Sequence, residues 1–152
     1  EHLAEIRLAL EPAAAAAAAV RATSDDIVAL YAIAARFDDL SHTAETIAKV
    51  DLDFHLAIAR MSGNPFMRSA SGLIEAALAI SFQMSSPAAS PETLDEVATN
   101  HLRIAHAIAS RDQAKAMSAM RHVIEVGKTR IRGSLAVIVE EEGDELRDVA
   151  AT

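Results

Sequence analysis

Apolar side chains recur at steps of three and four over almost the whole chain, and that spacing admits one kind of local structure. Ile27, Leu30, Ile33, Ala34 and Phe37 form one stripe, and Ile47, Val50, Phe54, Ile58 and Met61 form another. Leu94, Val97, His101, Ile104 and Ile108 form a third. A period near 3.6 lays each stripe along one face of an α-helix, whereas a half-buried strand needs strict alternation. No alternating run of strand formers occurs. Ala13 to Ala19 is an unbroken run of the best helix former, and its small side chains let a neighbouring helix approach closely. The spacing therefore predicts an all-α protein, an antiparallel bundle of about six helices, in which the polar residues taken up below are expected to line an internal metal or ligand pocket.

Capping and breaking residues set the expected bounds. Helix one covers Glu1 to Ala22 and either kinks or begins at Pro12. Thr23 and Ser24, followed by Asp25 and Asp26, open a second helix that runs to about Leu40. Thr43 caps a third, Ala44 to Ser62, and Gly63-Asn64-Pro65 stops and restarts the chain. The fourth helix runs to about Ser85, and Ser86 to Ser90 form a loop. Ser90 and Pro91 open the fifth, and Asp112 caps the sixth, which Gly133 ends or weakens. Residues 1–136 are read as one domain, and the acidic tail 137–152 either continues as helix or is disordered.

Charge and cysteine usage remove several function classes. The net charge of −8 leaves no basic face, so this segment is not expected to contact DNA directly. Without cysteine there is neither a disulfide framework nor a thiolate zinc site, and any metal must use imidazole and carboxylate ligands. This suits a reducing cytoplasm. No apolar run is long enough to span a membrane, and no signal peptide is expected. The start at Glu1 is read as that of a fragment of a longer chain.

The informative polar residues lie on or beside the apolar stripes. Asp51 and His55, at i and i+4, share one face of the third helix beside Phe54 and Ile58. His101 occupies a core position between Val97 and Ile104, and a buried imidazole needs a hydrogen-bond partner or a metal. His122 borders the inner face of the sixth helix. Three imidazoles and one carboxylate suit zinc, and also nickel, manganese or iron. The same residues have a plainer reading: an Asp-x-x-x-His pair also forms a surface ion pair, and a core histidine also bonds a backbone carbonyl. His2, His42 and His106 are read as solvated.

Several segments together resemble one family. Glu5-Ile6-Arg7 with Leu10-Glu11-Pro12 and the alanine run resemble its first helix. Asp51-Leu52-Asp53-Phe54-His55, Ala57-Ile58-Ala59 and Ser62-Gly63-Asn64 resemble its signature helix. His101, Ala107-Ile108, Arg111-Asp112 and Met120-Arg121-His122 complete the pattern. Over about residues 1–135 the chain resembles the FadR-type C-terminal ligand-binding (FCD) domain of GntR-superfamily transcription regulators. In that family's metal-binding branch an aspartate and three histidines hold the ion, which implies Asp51, His55, His101 and His122 here. The resemblance further implies a homodimer that senses a small carboxylate metabolite, with Arg7 on the acid and DNA bound by a separate N-terminal winged-helix domain. Arg7 also reads as the i+4 partner of Glu11. Two other functions stay open at this stage, a metal-dependent helical-bundle hydrolase or lyase and a dimerisation bundle stapled by its metal. Against the enzyme, no H-E-x-x-H, P-loop or nucleophile-elbow motif occurs.

Overall fold

The computed structural model describes residues 2–73, 77, 79–80 and 91–150, with backbone alone at 73, 91 and 134–150. Among these residues there are helices and no strand: α1 (His2–Arg21), α2 (Ser24–Ala34), a 3-10 turn (Ala35–Asp38), α3 (Ala44–Met61), α4 (Pro65–Leu73), α5 (Pro91–Ala109) and α6 (Gln113–Ala150). The expected end of the fourth helix near Ser85, the Ser86–Ser90 loop and the Ser90 cap lie outside the described residues.

The caps act where the sequence places them. The Thr23 side chain accepts from the Asp26 amide while Asp26 accepts from the Thr23 amide, so each relieves an amide the helix start leaves unpaired. Thr43 and Thr46 repeat the device at α3. Asn64 Oδ1 accepts from the Phe66 amide at 2.9 Å, and Asp112 Oδ1 from the Lys115 amide at 3.0 Å. Gly63 takes a φ of 65°, where a side chain is disfavoured. Arg111 adopts a φ of 62° without being glycine. Its guanidinium donates to the Ala22 and Ala19 carbonyls, at 2.6 and 3.3 Å, satisfying the open end of α1. α1 is continuous through Pro12, and α6 continues past Gly133 as one 38-residue helix.

α1 packs most extensively on α6 and then on α3, and α5 packs on α6. The alanine run makes this possible: Ala15, Ala18 and Ala19 are fully buried, so a neighbouring helix backs onto their Cβ atoms. Phe37, Phe54, Ile58, Ile104, Ile108 and Met120 fill the space between helices. Each such side chain contributes roughly 1.5–3 kcal/mol by leaving water. Glu11, Ala15, Ala18 and Ala22 follow one another at helical steps, so the stripe that buries alanines also carries the Arg7 and Glu11 side chains inward. That register positions the site.

Candidate metal and effector site

α3 delivers Asp51 and His55 from one face, and α5 delivers His101 opposite them. His101 is 2 % exposed. Its ring stacks on Phe37 with centroids 4.3 Å apart and meets the Phe54 edge at 5.0 Å. Its Nδ1 lies 2.8 Å from the Val97 carbonyl. Its Nε2 lies 2.9 Å from Asp51 Oδ1. His55 mirrors this. Its Nδ1 is 2.5 Å from Glu11 Oε2, and its Nε2 is 3.3 Å from the same Asp51 oxygen.

Ligand atoms of Asp51, His55 and His101 therefore converge, all within 4.8 Å of one another. Each imidazole has an oxygen beside its Nδ1, the Val97 carbonyl for His101 and the Glu11 carboxylate for His55, and turns Nε2 toward a shared carboxylate. That is how metal-binding histidines are held, so the residues fit a divalent ion. Electrostatics bind the same groups. Burial works against the Asp51 charge, but hydrogen bonds from His101 and His55 outweigh it and hold the carboxyl far below the usual range. Burial likewise opposes a charge on His55, yet the facing Glu11 and Asp51 carboxylates raise its pKa to about 9. Against the desolvation of Glu11, the His55 and Arg7 charges lower its carboxyl to about 2.

His122 stands apart from this cluster, which brings together three of the four expected side chains. One step along a helix turns about 100°. The inward face of α6 carries Ala116, Met120 and Ile124, all buried, and Val123 lines the cavity beside Asp51 and His101. His122 is exposed and lines a different groove. The buried register Ala116–Met120–Ile124 was present in the sequence and already set His122 off that face.

Arg7 is 5 % exposed, not on the surface. It donates from Nε to Glu11 Oε1 at 2.7 Å, and its Nη2 lies 3.5 Å from His55 Nε2. Arg7 pairs with Glu11 and also lines the cavity beside Asp51. Asn100 and Arg130 were not singled out from the sequence, and Glu11 only as a partner of Arg7. Glu11 backs His55, while Asn100 and Arg130 line the cavity. The cavity is about 20 Å³, room for roughly one water-sized group. His42 bonds Thr46 Oγ1 and the Arg36 carbonyl, and the exposed His106 bonds the Tyr31 hydroxyl. His2 sits at the surface near Glu5.

The comparisons agree with this architecture. A GntR protein of Streptococcus agalactiae is similar in structure, with a TM-score of 0.69 and 27 % sequence identity. The match covers 85 % of this chain and 56 % of that one. No curated protein matches the sequence. The family described as FCD domain matches residues 2–126, which contain α1 to α5, the inward face of α6 and all three converging side chains. The chain belongs to the FCD domain family.

Proposed function

We propose that the chain is the effector-sensing domain of a bacterial transcription regulator, holding a divalent metal on Asp51, His55 and His101 and taking a small organic acid into the adjoining cavity. The observation that carries this reading is the pair of buried imidazoles, each with an oxygen beside Nδ1 and each turned by Nε2 onto one Asp51 oxygen. Zinc suits such a ligand set, as do nickel, manganese and iron. A bound ion supplies an acceptor for a carboxylate oxygen at positions the protein leaves open. Arg7 and Arg130, both lining the cavity, bring guanidinium groups that match a carboxylate in geometry and charge.

Size gives the domain a way to signal. A cavity of about 20 Å³ cannot take an organic acid without widening. Its α6 wall is Val123, Val126, Gly127 and Arg130, and α6 is also the main partner of α1. An acid that enters displaces α6 and stresses the α1 contact. A winged-helix domain joined ahead of α1, in a homodimer, would be repositioned on its operator. No helix among the described residues is long and apolar enough to cross a membrane.

The test is a thermal-shift screen of small organic acids on chelator-stripped protein, with and without added zinc. Zinc should raise the melting temperature, and one class of acid should raise it further only when zinc is present. Asp51→Ala should abolish both effects while circular dichroism stays helical. Zinc stabilisation of Asp51→Ala equal to that of the parent would sink the metal site. Stabilisation by zinc with no response to any acid would sink the sensor and leave a structural staple.

A further inference from the structure

Helices α5 and α6 and the turn between them enclose a second concavity, an open groove of about 750 Å³ that shares no lining residue with the metal cavity. That volume suits a small-molecule ligand. Its lining runs against the charge of the chain as a whole. In a protein of net charge −8, Arg103, His106, Lys115 and His122 converge on the groove. Two hydroxyls, Ser110 and Ser118, join them, and none of the described lining residues is a carboxylate.

Two of the four nitrogen-bearing side chains, His106 and Arg103, are held in place. The Tyr31 hydroxyl lies 2.8 Å from His106 Nδ1, and the two rings meet edge-on with centroids 5.4 Å apart. Arg103 Nη1 donates to Asn100 Oδ1 at 2.9 Å. Lys115 pairs with Asp112 at 3.0 Å, and Asp112 is itself tied to the helix cap. Holding His106 and Arg103 in advance reduces the conformational freedom lost when an anion is bound.

We propose that this groove is a second ligand site, for a small phosphate-bearing metabolite. A guanidinium, an ammonium, two imidazoles and two hydroxyls offer more donors than a lone carboxylate accepts, and they match the oxygens of a phosphate or diphosphate. Here His122 has a role: the register that takes it off the metal cavity puts it on this groove. The site has a physical link to the metal centre through Asn100. This residue is 5 % exposed, lines the metal cavity, and holds the groove's Arg103 through its Oδ1. Occupancy of either site bears on the same side chain.

Isothermal titration of chelator-stripped protein with pyrophosphate, at low ionic strength where exposed charge pairs are least screened, tests the proposal. Saturable one-to-one binding is expected. Arg103→Ala and His122→Ala should each weaken it roughly tenfold, the loss expected for one charge-assisted contact. Arg103→Lys should recover part of the loss, which a merely unfolded variant would not. Because the protein is chelator-stripped, this binding needs no metal, so failure of the metal reading and failure of this one are separable. The absence of saturable binding, or parent-like binding by the Arg103→Ala/His122→Ala double variant, would overturn the groove as a ligand site.

Discussion

His55 lies between two carboxylates and beneath a guanidinium, and the consequences of that position are local and testable. Glu11 and Asp51 flank its two nitrogens, and Arg7 balances the second negative charge through Glu11. Whether a residue joins such a cluster depends on a single helical step. Val123 faces the cavity and His122 does not. Val123→His should therefore place a third imidazole on the cavity wall and raise zinc affinity at least about tenfold, the effect of roughly one added ligand. His122→Ala should leave zinc affinity within about twofold, below the loss of one contact. Competition against a chromophoric chelator measures both, and a tenfold loss in His122→Ala would restore the four-ligand site. Asp51 and His55 were legible from their i, i+4 spacing, and His101 from its place on an apolar stripe. Glu11 was legible only as the partner of Arg7, because nothing local shows that α1 turns this pair toward α3.

At the scale of elements, α1 governs the assembly because its alanines set how close its neighbours come. Ala18 is fully buried and belongs to the main core. Ala18→Leu leaves helix propensity nearly unchanged but inserts three carbons where none fit, so it should destabilise by about 1–3 kcal/mol. Urea unfolding should show a lower midpoint with an unchanged slope, and a midpoint equal to that of the parent would mean α1 packs less tightly than described. Helix positions were legible from caps and stripes at Thr23, Thr43, Asn64 and Asp112. Gly133 and Pro12 read as interruptions, yet both helices run through them. Glycine costs a helix only about 1 kcal/mol, and packing of α1 on α6 and α3 outweighs the one bond Pro12 removes.

For the whole molecule, the buried charges couple stability to pH. The His55 pKa rises from 6.5 in the unfolded chain to about 9 in the fold. Its proton-bound form therefore stabilises the fold fully below pH 6.5, and that contribution, about 3 kcal/mol, is lost as pH rises through 9. Glu11 and Asp51 act oppositely: their lowered values stabilise above the usual carboxylate range and are lost in acid. The metal-free protein should thus melt highest between about pH 5 and 6.5 and fall progressively toward pH 9. A melting temperature that stays flat from pH 6.5 to 9.5 would contradict the paired state of His55.

Local sequence determined the helical class, the cap positions, the apolar faces and the residue types able to hold an ion, because each depends on neighbours within about four positions along a helix. Tertiary packing alone decided which polar side chains meet. Asp51, His55 and His101 share a point only because the fold lets the side chains of α3 and α5 reach one another, and Glu11 reaches His55 only because the alanine face of α1 lies flush on the bundle. The rotation of α6 about its own axis gave the cavity Val123 and the outer groove His122, and that rotation is set by which face of α6 the rest of the core buries.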